Sequence, residues 1–176
     1  MSTSIVKTER LDLILLNDIQ LRQYLEHPSL LEQEIGIQTS RNVVTENVQR
    51  AISMKLSKMA LVKKDQFGWY TYWLLTIRSL RFGAGLVGFK GFPDQNGEVE
   101  IGYGIDPDCQ HKGYMTEAVQ AMIAWAFEEP SCCFVTARKV KKWNLASQRI
   151  LFKVGMRIYE ESEDGYSFRL ERDSTR

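Results

Sequence analysis

The sequence predicts a mixed α/β fold in one domain that spans residues 1–176. From Glu98 to Ile105, apolar residues alternate with Glu and Gly, which is the period of a half-buried strand. From Met115 onward, apolar residues recur at helical spacing, after a polar loop that contains glycine. Two runs rich in aromatic and β-branched residues, Tyr70–Ile77 and Leu86–Phe92, are separated by a turn and predict antiparallel strands.

The N-terminal part predicts a strand and then a helix. Arg10–Leu16 has the apolar content and length of a strand. Asn17 or Asp18 can cap a helix that runs to about residue 27, where Pro28 is expected to end it.

A second helix is predicted between Val44 and Lys63, with Thr45 as its N-cap. Further along, the segment Pro93–Gly97, PDQNG, predicts a turn into the strand that starts at Glu98.

The C-terminal part predicts a strand, a helix and two closing strands. Cys132–Ala137 has the composition of a buried strand. Asn144 is placed to cap the following helix, and Gly155 to end it with a hydrophobic contact from the next residue. Arg157–Glu161 and Tyr166–Leu170 are expected to complete the sheet.

The segment Gly83–Gly88 fits the pattern G-x-G-x-x-G, which binds dinucleotides when it opens a helix in a parallel βαβ unit. The next residues, 89–97, contain two glycines and a proline and so predict no helix. We therefore interpret these glycines as close-packed positions in a strand.

Composition narrows the classes of function. The chain has 23 Lys and Arg residues against 22 Asp and Glu residues, so its charge predicts neither a nucleic-acid nor a membrane partner. No apolar run reaches the roughly 18 residues of a membrane span. The N-terminal segment MSTSIVKTER lacks the apolar core of a signal peptide, and we expect a cytoplasmic protein.

The three cysteines are expected to be reduced thiols. Cys132 and Cys133 are adjacent and would form a strained bridge, so core packing is the favoured role. Cys109 lies near His111 in the sequence. A Cys-His nucleophile needs a third group that orients the histidine, and the sequence does not identify one. No Cys or His spacing typical of a metal site is present.

The loop before the predicted helix at Met115 is a candidate anion site. Backbone N–H groups at a helix N-terminus have no partner within the helix and lie at the positive end of its dipole. Gly113 permits close approach of a ligand, Lys112 adds a positive charge and Thr116 adds a hydroxyl. An ordinary strand-to-helix turn is about equally compatible with these residues.

Four segments resemble the GCN5-related N-acetyltransferases (GNATs). Gln110–Met115, QHKGYM, resembles motif A, Gln/Arg-x-x-Gly-x-Gly/Ala. Gly113–Ala118, GYMTEA, is similar to the GY-x-TEA run of the RimJ/RimL-like branch, and Thr8–Leu11, TERL, is similar to the opening of that branch. Asn144–Met156, NLASQRILFKVGM, resembles the second family signature, N-x-x-A/S followed by Lys-x-Gly-Phe.

The resemblance implies a mostly antiparallel, splayed sheet and an enzyme that transfers an acetyl group from acetyl-CoA directly to a primary amine. Backbone groups near Tyr103 and Ile105 would hold the pantetheine and polarise the thioester, and the amides of the loop would hold the pyrophosphate. The implied cofactor-binding residues are Tyr103, Ile105, Gln110, His111, Lys112, Gly113, Tyr114, Met115, Thr116 and Asn144.

Two positions depart from the family pattern. Met115 replaces a small residue, so either its side chain points into the core or the loop is altered. Leu151 stands where many members carry a tyrosine that protonates the departing thiolate. Ser147 is the nearest replacement for that tyrosine, although a serine in a first helical turn often bonds only to backbone.

Glu100, on the open strand face, is the candidate base for the acceptor amine, and Glu160 is the second choice. Glu100 could equally steer a cationic amine or face solvent. The acceptor is left open between a protein N-terminus and a small-molecule amine. The resemblance implies that residues 32–42 form a substrate-facing loop in one wall of the acceptor site, and a solvated linker is about equally compatible with them.

A non-catalytic sensor that binds acyl-CoA is the alternative function, and the departure at Leu151 keeps it open. The protein is expected to be a monomer or a homodimer.

Overall fold

The computed structural model describes residues 4–173, and within them nine strands form one sheet. The strands are β1 (Ile5–Lys7), β2 (Leu11–Leu15), β3 (Gln38–Thr39), β4 (Trp73–Ile77), β5 (Phe82–Phe89), β6 (Glu98–Ile105), β7 (Phe134–Val140), β8 (Arg157–Ser162) and β9 (Gly165–Glu171). The helices are α1 (Asp18–Glu26), α2 (Pro28–Ile35), α3 (Glu46–Met59), α4 (Phe67–Tyr70), α5 (Tyr114–Phe127) and α6 (Leu145–Lys153). No helix in this part of the chain is long and apolar enough to cross a membrane.

The strand order is β1-β2-β4-β5-β6-β7-β9-β8, and β3 pairs with β5 outside this path. Among the described strands, only the pairs β3/β5 and β6/β7 are parallel. The β6/β7 pairing covers Glu98–Glu100 of β6, whereas β6 stays paired with β5 as far as Ile105. The sheet therefore splays between β6 and β7, and the predicted mostly antiparallel, splayed architecture is confirmed.

Each face of the sheet carries its own hydrophobic core. Leu74 and Leu75 show the division, because successive residues of a strand point to opposite faces. Leu75 belongs to the core that packs against α5, and Leu74 belongs to the core under the N-terminal helices. The alternation in β6 places Val99 and Ile101 in the α5 core.

The N-terminal predictions hold for the two helices but miss two elements. Asn17 caps α1 with a reciprocal capping box, and Thr45 caps α3. The two elements that were not predicted are strand β1 and helix α2. Pro28 follows the end of α1 as expected, but it is also the first residue of α2. A proline is compatible with that position because the first-turn N–H groups have no helical partner.

Part of the predicted loop at 32–42 is consequently ordered structure. Its first residues belong to α2, and Gln38–Thr39 pair with β5. The strand predicted at Leu86–Phe92 lies earlier in the chain than expected. It is β5, which starts at Phe82, ends at Phe89 and contains the glycine run. A Cβ added to Gly85 would lie 2.5 Å from the carbonyl oxygen of Gly104, so the interpretation of these glycines as close-packed strand residues is confirmed.

The helix α6 begins and ends as predicted. The side chain of Asn144 accepts a hydrogen bond from the Ser147 amide at 3.1 Å. At the other end, the Met156 amide donates to the Leu151 carbonyl at 3.0 Å, and the Gly155 amide to the Phe152 carbonyl at 3.1 Å, which is a Schellman ending. The last two strands match their predicted segments to within a residue or two.

Candidate active site

A cleft of about 370 Å³ lies beside the splay, between the C-terminal half of β6, the loop before α5, the first turn of α5, and α6. All the predicted cofactor-binding residues except Lys112 line it, together with Ser147. The predicted residues in the lining are Tyr103, Ile105, Gln110, His111, Gly113, Tyr114, Met115, Thr116, Asn144 and Ser147.

The splay leaves backbone groups of β6 available at this cleft. From Ile101 to Ile105, β6 pairs with β5 alone, and its other edge has no strand beside it. Tyr103 and Ile105 lie in this stretch and line the cleft. Unpaired strand N–H and C=O groups are suited to hold an amide-bearing chain such as pantetheine and to donate to a carbonyl oxygen.

The part of the cleft lined by the N-terminus of α5 is suited to an anion. Gly113 is the N-cap of α5 with φ 80°, and it brings no side chain to cap the helix. The first-turn N–H groups therefore remain free for a ligand at the positive end of the helix dipole. Arg149 and Lys153 line the same cleft from α6 and add two cationic groups. Acetyl-CoA, with its anionic phosphates at one end and amide-bearing arm at the other, fits these donors.

Lys112 is the predicted cofactor residue that the structure places outside the lining. Its ammonium group donates to the carbonyl of Asp108 at 2.8 Å. A lysine held in this way supports the turn before the loop and does not present its charge to the cleft. Met115, in contrast, is only 4% exposed and packs in the α5 core, which accounts for its departure from a small residue.

Leu151 is fully buried in the same core and has no proton to donate. A phenol nevertheless reaches α6 from the strand, because Tyr103 Oη and Ser147 Oγ share a hydrogen bond of 2.8 Å. The Ser147 hydroxyl thus bonds to a side chain across the cleft. Burial raises the pKa of Tyr103 to about 12, although the bond to Ser147 acts to lower it, so the phenol stays protonated near neutral pH.

Glu100 lies on the face of β6 opposite Tyr103, as strand alternation requires. Its carboxylate is 2.5 Å from the Lys90 ammonium and lines a second, smaller hollow of about 170 Å³. Glu98 and Arg138 line that hollow and pair with each other. Glu160 is on the exposed edge strand β8 and accepts from Ser167 at 3.2 Å. Neither acidic residue lines the main cleft.

Sequence reasoning missed several residues of the cleft. Four of them lie on one face of α6 at helical spacing, namely Ala146, Arg149, Ile150 and Lys153. The sequence could have predicted them if the face of α6 that meets the cleft had been known. Cys109 also lines the cleft, but burial raises the pKa of its thiol, which favours the unreactive protonated form.

A mixed sheet that splays between two parallel strands, beside a free helix N-terminus, is the architecture of the acyl-CoA N-acyltransferases. The family model of the GNAT acetyltransferase domain matches residues 12–157, so the chain belongs to this family.

Among curated proteins, the chain is 34% identical over 104 residues to the uncharacterized N-acetyltransferase YjdG of Bacillus subtilis (strain 168). That match covers 59% of this chain and 61% of the relative, so the chain spans about three fifths of the length of this curated relative.

Two solved structures share the fold. The ribosomal-protein-S5-alanine acetyltransferase from Vibrio fischeri has a TM-score of 0.66 at 14% identity, covering 98% of this chain and 99% of its own. The ribosomal L7/L12 alpha-N-protein acetyltransferase RimL, in complex with coenzyme A, has a TM-score of 0.65 at 15% identity, covering 96% and 98%.

Proposed function

We propose that the chain is an N-acetyltransferase that transfers the acetyl group of acetyl-CoA to a primary amine by direct attack within a ternary complex. The observation that carries this proposal is the cleft itself, which joins an open strand edge to a free helix N-terminus in a member of the GNAT family. Holding both substrates in one site makes the attack effectively intramolecular.

Different residues of the cleft would hold different parts of the cofactor. The loop amides and first turn of α5 would hold the pyrophosphate, assisted by Arg149 and Lys153. The open edge at Tyr103 and Ile105 would hold the pantetheine and donate to the carbonyl oxygen. Bound acetyl-CoA supplies a thioester whose carbonyl carbon is open to attack by an amine.

Two side chains would handle protons on opposite faces of β6. Glu100 would take the proton that the amine must lose, directly or through water, after the Lys90 ammonium moves aside. Ser147 would give its proton to the departing thiolate and would be oriented by Tyr103. The charged hollow around Glu98 and Glu100 suits an amine that carries polar groups, either a peptide N-terminus or a small molecule.

The non-catalytic sensor remains the second candidate, because the buried Leu151 leaves the usual donor position without a hydroxyl. A sensor would bind acetyl-CoA but release no thiol with any amine. A cytoplasmic location and a monomeric or homodimeric state stay predictions.

Calorimetric titration with acetyl-CoA, repeated on a Gly113→Asp variant, tests the cofactor site. We expect binding by the wild type and loss of at least about tenfold in affinity in the variant, since a carboxylate at the helix N-terminus repels phosphate. Gly36→Asp is a matched control, because Gly36 also has a positive φ, of 72°, with nothing within 4 Å of an added Cβ.

Binding that Gly113→Asp loses and Gly36→Asp keeps would justify a screen of amines by thiol release, including peptides with free N-termini. No binding by the wild type would refute the proposed function. Binding without turnover for any amine would favour the sensor.

A further inference from the structure

Glu117, in the first turn of α5, is held by the segment that precedes β2. The Thr8 hydroxyl donates to Glu117 Oε1 at 2.6 Å, and the Arg10 amide donates to the same oxygen at 2.8 Å. The Arg10 guanidinium donates to Oε2 at 2.7 Å. Both oxygens of this carboxylate are therefore bonded to a segment more than a hundred residues away in the chain.

The same guanidinium also contacts the loop that opens α5. Arg10 Nη1 donates to the Lys112 carbonyl at 2.9 Å, and the guanidinium lies 4.6 Å from the centre of the Tyr114 ring. A Cβ added to Gly113 would meet Arg10 Nη2 at 3.3 Å. A single side chain thus contacts Lys112 and Tyr114 and lies beside the Gly113 between them, yet Arg10 is not among the residues that line the cleft.

The charge on Glu117 makes this arrangement important for an anionic ligand. A carboxylate in the first turn suits the helix dipole, but it would repel a phosphate bound at the same helix end. Burial acts to raise the pKa of Glu117, but the bonds from Thr8 and Arg10 outweigh it and lower the pKa, so the group stays ionised. The Arg10 guanidinium neutralises this charge directly, because its Nε lies 2.7 Å from Glu117 Oε2.

We propose that Arg10 and Glu117 form a clasp that presets the anion-binding loop, which makes Arg10 a positioning residue for the cofactor phosphates. The clasp rests on the proposed acetyl-CoA site and deepens it. The TERL segment and the TEA run of this chain would both act in holding the loop, because Arg10 of the first and Glu117 of the second form this ion pair. Preorganised donors bind more tightly since less conformational freedom is lost on binding.

Arg10→Met is the first test, measured by calorimetric titration with acetyl-CoA. We expect about a tenfold rise in the dissociation constant, because the loop loses its contacts at Lys112 and Tyr114 and the charge of Glu117 loses its cationic partner. Arg22→Met is the control for loss of an exposed guanidinium, since Arg22 pairs with Glu26 within α1. The control is expected to bind as the wild type does.

A second ligand separates positioning of the phosphate loop from general damage. S-acetyl-pantetheine has no phosphate, so Arg10→Met should leave its binding unchanged, whereas a misfolded variant would lose it as well. Arg10→Lys keeps the charge but loses the planar guanidinium, whose separate nitrogens bond to Glu117 Oε2 and to the Lys112 carbonyl, so it should restore only part of the affinity. Glu117→Gln combined with Arg10→Met should bind no more weakly than Arg10→Met alone, since the pair acts as a unit.

The outcomes distinguish the clasp from the function beneath it. Wild-type affinity in Arg10→Met, with acetyl-CoA bound normally, would overturn the clasp and leave the acetyltransferase proposal standing. Equal weakening of acetyl-CoA and S-acetyl-pantetheine would also overturn it, since the effect would not be confined to the loop. Failure of the wild type to bind acetyl-CoA would overturn both.

Discussion

Ser147 and Tyr103 meet across the cleft, and their hydroxyl groups can be removed one at a time. We expect Ser147→Ala to lower kcat by about 10- to 100-fold with little change in KM, because a proton transfer is lost but not a binding contact. Tyr103→Phe keeps the ring and should lower kcat by about three- to tenfold, because Ser147 loses its orienting partner. Steady-state thiol release measures both.

Ser57→Ala controls for loss of a hydroxyl, since Ser57 donates to the Ser53 carbonyl on the exposed side of α3. The phenol of Tyr103, with a pKa of about 12, should remain protonated in assays up to about pH 10. A Ser147→Ala variant with full kcat would argue against the serine as the donor.

Glu100 can be tested against the second acidic candidate by neutral, isosteric substitution. Glu100→Gln removes the proposed base and should lower kcat by about 100-fold, whereas Glu160→Gln on the exposed edge strand should keep wild-type kcat. The ratio of the two kcat values is the measurement. A larger loss in Glu160→Gln would transfer the role of base to that residue.

At the scale of elements, the fit between β5 and β6 depends on a glycine. Gly85→Ala would bring a Cβ within 2.5 Å of the Gly104 carbonyl oxygen, so the two strands must separate, and we expect a loss of roughly 1–3 kcal/mol in unfolding free energy. Gly102→Ala on β6 is the control, because nothing lies within 4 Å of its added Cβ. Urea unfolding of both variants measures the difference, and equal stability would contradict the close-contact argument.

At the scale of the whole molecule, Lys55 ties the N-terminal helices to the sheet. This side chain of α3 is 7% exposed, its ammonium donates to the carbonyls of Thr71 at 3.1 Å and Phe89 at 2.5 Å, and it lies 4.4 Å from the centre of the Tyr72 ring. Burial lowers its pKa to about 7, and the charges of neighbouring lysines act in the same direction.

The sign of the resulting pH dependence follows from linkage. Between the folded pKa of about 7 and the ordinary value of 10.5, the unfolded chain binds a proton that the folded chain does not, so stability rises with pH and the gain is complete above 10.5. From pH 7 to pH 9, we expect the wild type to gain about 2 kcal/mol relative to Lys55→Met. Urea unfolding at both pH values measures this, and parallel pH profiles for the two proteins would contradict it.

The sequence by itself determined the elements whose signals are local. The alternation from Glu98 to Ile105 predicted β6 to the residue, and Asn144 and Gly155 predicted both ends of α6, because strand period and capping act over a few residues. Of the nine predicted cofactor residues that line the cleft, six lie in the loop motif, Asn144 opens the second motif, and Tyr103 and Ile105 lie on the alternating strand, so all were within reach of the sequence.

The tertiary structure decided what depends on residues distant in the chain. The bond between Tyr103 and Ser147, the pairing of Glu100 with Lys90, and the cations that α6 presents to the cleft arise only when separate elements pack. The contact between Arg10 and Glu117 has the same origin, since it joins the residue just before β2 to the first turn of α5. Local patterns set which elements form, whereas the relative placement of those elements follows from burial of the two cores, and that placement fixes which charges and hydroxyls meet.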